Sequence, residues 1–247
     1  MEVAIVGGGL SGQAIQRALV ERGATAKLFS RSTGFDVLRD EAGEHLGHSD
    51  VIVEATGHFT MSKKSATEFF TRSTRALAAA AHASGARHLL LSIVNCELPE
   101  VQGYGHFAGK TAQEQVARSE SENLTIIRST QWFEFADQNL KRMKLGPLSL
   151  VPQMTIKPVA LEAVAEVIAD FATGRRTGAF AEFAGPETTT LWKMTKQLPN
   201  TRHAPIPIHL PIPGRMGQAF RNGRLVPGHE AEVIGPSFST WLSTRTT

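Results

Sequence analysis

Cysteine is almost missing from this chain: Cys96 is the only one among 247 residues. An intrachain disulfide is therefore impossible, which fits a reducing compartment. Tyrosine is equally scarce, with Tyr104 alone. No apolar run reaches the roughly 20 residues that a membrane span needs. The first residues show no charged segment followed by an apolar stretch and a cleavage site. The expectation is a soluble, cytoplasmic protein with no membrane partner. Charge is nearly balanced, 26 basic residues against 23 acidic ones for a net +3. The longest basic runs are pairs, Lys63-Lys64 and Arg175-Arg176, and no basic stripe carries interleaved aromatics, so nucleic acid is not an expected partner. The nine histidines are scattered. No His-x-x-x-His helix stands out, and His45 with His48 falls in a surface segment, so no metal is expected. Gly-x-Ser-x-Gly is absent, which argues against an α/β-hydrolase fold.

What is present is a rhythm of strands and helices. Short apolar runs at Val3 to Val6, Ala26 to Phe29, Val51 to Ala55, His88 to Ser92 and Leu124 to Ile127 read as strands. Helical patterns fill Leu10 to Arg22, Ala66 to Ser84, Gly109 to Ser119 and Phe133 to Met143. Runs that are continuously apolar suit a parallel sheet covered on both faces. Their alternation with helices gives an α/β, doubly wound Rossmann fold. The segment from Arg31 to His48 is short for a strand plus a helix, so a reduced third strand is expected there. Beyond Gly146-Pro147 the rhythm changes. Strands near Leu148 to Val151 and Phe180 to Phe183 flank a helix at Leu161 to Phe171, and Pro199, Pro205, Pro207, Pro211 and Pro213 crowd the tail. Residues 1–145 thus read as a dinucleotide-binding core, and 146–247 as a small C-terminal lobe on the substrate side.

The strongest local motif follows the first strand. Gly7, Gly9 and Gly12, with Gly8, Leu10 and Ser11 between them, form Gly-x-Gly-x-x-Gly between a strand and a helix. The first glycine makes the turn, the second lets backbone approach a pyrophosphate, and the third lets helix and strand pack closely. The helix start adds free N–H donors and the positive end of its dipole. The alternative is a glycine turn with no ligand. At the end of the second strand an NAD site usually carries an acid for the ribose 2′-hydroxyl. Here Ser30, Arg31 and Ser32 stand instead. An arginine can clamp a 2′-phosphate with two parallel hydrogen bonds, so NADP(H) is favoured over NAD(H). Otherwise Arg31 is a solvated residue at a loop start.

Further segments resemble one family. They are Val51-Ile52-Val53-Glu54-Ala55-Thr56, Gly85-Ala86-Arg87-His88-Leu89-Leu90-Leu91-Ser92, Lys110-Thr111-Ala112-Gln113-Glu114, Ile127-Arg128-Ser129-Thr130-Gln131-Trp132-Phe133-Glu134-Phe135, Ala184-Gly185-Pro186-Glu187 and Leu225-Val226-Pro227-Gly228. In order and spacing the chain resembles the short-chain dehydrogenase/reductase superfamily, in its atypical branch near the NmrA-like proteins. The resemblance implies cofactor contacts from Ala55, Thr56, Gly57, Lys110, Thr130 and Gln131, with Asp36 either touching adenine or capping a turn. It also implies a catalytic Tyr-x-x-x-Lys with an upstream serine. Lys110 matches the lysine and Ser92 the serine. The tyrosine position is occupied by His106, in His106-Phe107-Ala108-Gly109-Lys110, and Tyr104 lies two residues earlier. The glycine spacing is one residue shorter than the branch usually has.

An imidazole exchanges protons near neutrality but forms no phenolate. Three readings stay open. His106 is the acid/base, or Tyr104 is a displaced acid, or the site is redox-silent. Trp132, Phe133 and Phe135 are candidates to line an apolar substrate pocket, and helix packing is the alternative for the two phenylalanines. The resulting expectation is hydride transfer between NADP(H) and a small carbonyl or quinone-like substrate. Its rivals are an NADP(H) sensor without turnover and a redox-neutral acid/base enzyme. The oligomeric state is not fixed by the sequence, and a homodimer is compatible with it.

Overall fold

The computed structural model describes residues Met1–Pro199 and Ala204–Arg245. Its elements run β1 (Glu2–Val6), α1 (Leu10–Glu21), β2 (Thr25–Phe29), α2 (Ala42–Leu46), β3 (Val51–Glu54), α3 (Lys63–Ser84), β4 (Arg87–Ile93), α4 (Gly105–Glu120) and β5 (Leu124–Ser129). Then come α5 (Phe135–Arg142), β6 (Lys144–Leu145), β7 (Leu148–Pro152), β8 (Thr155–Ile156), α6 (Leu161–Ala172), β9 (Phe180–Ala184) and β10 (Thr189–Thr190). The chain closes with α7 (Leu191–Gln197), β11 (Ile206–Leu210), α8 (Gly214–Arg221), β12 (Glu232–Val233) and α9 (Phe238–Arg245).

Seven strands form a parallel sheet in the order β12-β9-β5-β4-β3-β1-β2. The order reverses at β1, where β2 lies on one side and β3 on the other, the topological switch at which such sheets present their strand ends to ligands. All four residues of β3 and five consecutive residues of β4 are buried, as expected of interior strands covered on both faces. Helix α3 starts at Ser62, whose hydroxyl accepts the Ser65 N–H at 3.2 Å, and stops at Gly85 in the left-handed conformation, φ 70°.

The reduced third strand expected between Arg31 and His48 does not form. A 3-10 turn at Arg31–Thr33 and the short α2 replace it. The reason is local. Asp36 Oδ1 accepts the Leu38 N–H at 3.1 Å, and Asp40 Oδ2 accepts the Asp36 N–H at 2.7 Å, so the side chains curl the backbone into turns. Phe35 and Leu46 then anchor the segment in the core. Asp36 thus caps a turn.

Two compact units are present, one of Met1–Arg128 with Glu162–Ala181 and one of Ser129–Leu161 with Glu182–Thr247. Almost all of α6 belongs to the first, on the other side of the 145/146 division read from the sequence. The physical cause is a set of ionic anchors. Arg22 Nε donates to Asp170 at 2.9 Å, and its Nη2 lies 2.5 Å from the Glu166 carboxylate. Arg87 donates to the terminal carbonyls of α6 at Phe171 and Ala172, a cation at the negative end of a helix. In the second unit β11, β7 and β6 form a small sheet in that order. Pro207 is accommodated because β11 is an edge strand. Among the described residues no helix is long and apolar enough to cross a membrane, and no cluster of His, Cys, Asp and Glu is arranged to hold a metal.

Candidate functional site

The glycine turn lies between β1 and α1, and its three glycines are needed for different reasons. Gly7 has φ 132°, and a Cβ there would strike the Ala55 carbonyl. At Gly12 a Cβ would run into the Gly7 carbonyl. At Gly9 a Cβ would meet nothing within 4 Å, so this residue faces open space at the start of α1. No acidic residue occupies the first turn of α1 and no side chain caps it. That combination of approachable backbone and uncapped N–H groups fits a phosphate. Leu10 is half exposed, while Ser11 is buried. Gly8 abuts β2's end, since a Cβ on it would lie 2.6 Å from Ser30 Oγ.

Ser30 and Ser32 share a hydroxyl–hydroxyl hydrogen bond of 2.8 Å, and Ser30 also forms a capping box with Thr33. Arg31 is exposed and has no ion-pair partner among the described residues. Just past the end of β3, Ala55 donates its N–H to the Val6 carbonyl, Thr56 is half-buried and Gly57 is exposed.

Helix α4 carries His106 and Lys110, follows directly on Tyr104 and lies against helix α3. The two helices pack very closely because Gly109 has no side chain: a Cβ there would lie 2.5 Å from the Phe70 ring and 3.0 Å from Ala66. Gly105 is equally constrained, its Cβ direction facing the carbonyls of Thr60, Met61 and Ser62 at 2.8–2.9 Å. His106 is half-buried with its ring 5.9 Å from that of Phe70. Tyr104 is half-buried as well, 5.7 Å from Phe107. Lys110 is buried at 4% exposure. Its ammonium donates to the Leu91 carbonyl at 2.6 Å and to Gln113 Oε1, and lies 5.2 Å from the Phe70 centroid. Burial pushes the Lys110 pKa down, and the nearby Glu54, Cys96 and Glu114 only partly offset it.

Beneath Lys110 runs a polar network that sequence reasoning missed. Gln113 donates to Glu54 Oε1 at 2.6 Å, and Thr56, Thr74 and His88 also bond to that carboxylate. Burial opposes ionisation of Glu54, but His88, Lys110 and Thr74 outweigh it and hold the carboxyl below its ordinary pKa. Glu114 is also shifted down, since its burial is outweighed by hydrogen bonds from Arg128 and Ser92. Ser92, at 2% exposure, is thereby tied to Glu114. The only sequence signal for these residues is a charged or titratable side chain inside an apolar strand, at Glu54, His88 and Arg128.

The second unit holds the remaining candidates. Thr130 is buried, its hydroxyl donating to the Lys157 carbonyl at 2.6 Å. The Gln131 carbonyl accepts the Val159 N–H at 2.9 Å, while its side-chain Oε1 is buried without a hydrogen-bond partner among the described residues. Trp132 is half-buried and donates its indole N–H to Ser129 at 3.0 Å. Phe133 is 1% exposed and packs edge-on against Phe238 and tilted against Trp241. It also borders a small cavity with Pro158, Pro186 and Phe238. Phe135 is half-buried at the start of α5.

No family profile and no curated protein matches this sequence. Solved structures do match it. A short-chain dehydrogenase/reductase superfamily protein from Agrobacterium tumefaciens with bound NAD is 15% identical. The match covers 99% of this chain and 95% of that one, with a TM-score of 0.67. An NADPH-dependent quinone oxidoreductase from Escherichia coli, complexed with NADPH, is 13% identical over 99% of this chain and 100% of its own, TM-score 0.67. An NAD-dependent NDP-hexosamine 5,6-dehydratase involved in tunicamycin biosynthesis is 16% identical over 85% and 84%, TM-score 0.67. The chain therefore shares the α/β Rossmann fold of these solved structures.

Proposed function

We propose that this protein is an atypical short-chain dehydrogenase/reductase. It binds NADP(H) in preference to NAD(H) and oxidises or reduces a small carbonyl or quinone-like substrate. The observation that carries the reading is the glycine turn, whose Gly9 faces open space at an uncapped helix start. Exposed Arg31 without an ion-pair partner, beside the paired hydroxyls of Ser30 and Ser32, supplies the preference for a 2′-phosphate. The structural relatives solved with NAD and NADPH support a nicotinamide cofactor, and the quinone oxidoreductase among them supports the substrate class. When bound, the nicotinamide supplies or accepts hydride. His106 exchanges the proton at the substrate oxygen, and the Gly7–Gly12 backbone orients the phosphates.

A second reading, an NADP(H) sensor without turnover, is favoured by one observation. Lys110 and Ser92 are both engaged inward, with Leu91 and Gln113 and with Glu114. Calorimetric titration with NADPH and NADH, followed by anaerobic incubation of the NADPH complex with quinones and carbonyls, separates the two. Loss of nicotinamide absorbance with a substrate supports the oxidoreductase. Tight NADPH binding without turnover across the panel supports the sensor. Failure to bind either nucleotide rejects both.

A further inference from the structure

The first unit contains a second constellation of chemically competent side chains, at the start of β4 and the end of α4. His88 and Ser121 lie at the opposite strand ends from the glycine turn, and Glu54, the last residue of β3, meets His88 from the glycine-turn side. Ser121 Oγ lies 2.8 Å from His88 Nδ1, and His88 Nε2 lies 3.2 Å from Glu54 Oε2. We propose that Ser121, His88 and Glu54 form a nucleophilic site that hydrolyses small, unhindered carboxylic esters.

The hydrogen-bond pattern assigns each role. Glu54 is fully buried. It receives the Thr74 hydroxyl at 2.9 and 3.1 Å, the Gln113 amide at 2.6 Å, the Thr56 hydroxyl at 3.1 Å and the Ser73 hydroxyl at 3.4 Å. Every one of these groups donates, so Glu54 serves as an ionised acceptor. His88 must then present Nε2–H to it. In the neutral ring, that tautomer leaves Nδ1 as the acceptor, and Ser121 must point its hydroxyl proton at it. A nucleophile, a base and an acid that orients the base are thus in line, the arrangement that activates a serine.

Ser121 is half-buried and follows the last residue of α4 in extended conformation. It opens on a small surface cavity that His82, His88, Glu122 and Asn123 also line. Asn123 is exposed on this wall and carries a side-chain amide. An amide donor of this kind is what an oxyanion requires. His82 and Glu122, 3.1 Å apart, form another part of the wall. The cavity has room for about one water-sized group, so only the smallest esters can bring a carbonyl to Ser121.

In the reaction Ser121 Oγ attacks the ester carbonyl carbon while its proton passes to His88 Nδ1. The ester C–O bond breaks and the departing alcohol takes that proton. Water, deprotonated by His88, then attacks the acyl-serine. The carboxylic acid leaves and the serine hydroxyl is restored, with no oxidant or reductant consumed.

The test uses 4-nitrophenyl acetate hydrolysis together with labelling by a fluorophosphonate, mapped by peptide mass spectrometry. The expected label is on Ser121. Ser121→Ala should lower the hydrolysis rate at least about 100-fold. Its thermal melt and NADPH binding should be unchanged, so the result is independent of the dinucleotide reading. Ser121→Cys should retain acyl transfer, now captured as a thioester. Equal hydrolysis by the unmodified protein and Ser121→Ala, a label on another residue, or no hydrolysis above buffer would each overturn the proposal.

Discussion

Arg128 meets the Glu114 carboxylate with two parallel hydrogen bonds, Nε to Oε1 and Nη2 to Oε2, both at 2.8 Å. The side chains are only 10% and 5% exposed. Glu97 accepts from Nη1 at 3.2 Å, and the guanidinium lies 5.3 Å from the centroid of the Phe180 ring. Burial works against the Arg128 charge, but Glu114 more than restores it and raises its pKa. Removing Glu114 leaves the buried Arg128 cation with the half-exposed Glu97 as its remaining acid partner. Glu114→Ala is expected to cost about 3–5 kcal/mol of stability in urea unfolding.

The same carboxylates set the acid limb of the stability curve. Glu54 and Glu114 both have folded pKa values below the ordinary one. In the window between the folded values and the unfolded value of about 4.3, the unfolded chain binds more protons, so stability rises with pH. Their contribution is complete above the unfolded value and is lost as pH falls through the folded values. Unfolding midpoints measured across this range should drop towards acid, and more shallowly in Glu114→Gln.

Cys96 is buried, and burial together with the Glu114 charge pushes its pKa up to about 12. The reactive thiolate is scarce and shielded. Iodoacetamide at mildly alkaline pH should leave the native protein unmodified and alkylate Cys96 fully in denaturant, read by intact mass.

Gly9 and Gly12 should separate binding from folding. A side chain at Gly9 enters open space, whereas one at Gly12 strikes the Gly7 carbonyl. Gly9→Val is expected to keep the melting temperature and lose dinucleotide affinity. Gly12→Ala should lower the melting temperature itself, as seen by scanning calorimetry.

Arg31→Ala tests the cofactor preference. The unmodified protein should bind NADPH at least about tenfold more tightly than NADH, from about 1–3 kcal/mol of charge-assisted contacts. The substitution should erase most of that difference and leave NADH affinity nearly unchanged. Equal affinities in the unmodified protein would refute the preference.

His106→Ala tests the proton carrier. With a turned-over substrate in hand, kcat should fall about 10²–10⁴-fold with NADPH affinity intact. Tyr104→Phe should change little. The opposite pattern transfers the role to Tyr104.

Strands β1 to β5, β7 and β9 and helices α1 and α3 to α6 were legible because buried parallel strands are mainly apolar, as Val51 to Val53 and Leu89 to Leu91 are, and the helices alternate with them. The glycine turn was legible for a comparable reason, since φ 132° at Gly7 and the contact at Gly12 leave little choice of residue. The network around Glu54 was not. Its members come from β3, β4, α3 and α4, and no spacing along the chain announces that Gln113, His88 and Thr74 converge on one carboxylate. The absent third strand turned on side-chain bonds of Asp36 and Asp40, which compete with extended backbone only once Phe35 is anchored. Phe133 looked as much like a pocket wall as a core residue until Phe238 and Trp241, over a hundred positions later, proved to be its neighbours.

The first unit is assembled from two stretches of chain, broken where residues 129–161 depart and return. A single cut therefore cannot excise this unit whole. A gene shortened after residue 145 would encode Arg22 and Arg87 without the acids and helix end that receive them, and would leave β5 as a raw sheet margin. A shorter version of this unit has to be made by replacing the intervening stretch with a linker from Arg128 to Glu162, keeping the polypeptide through Ala181.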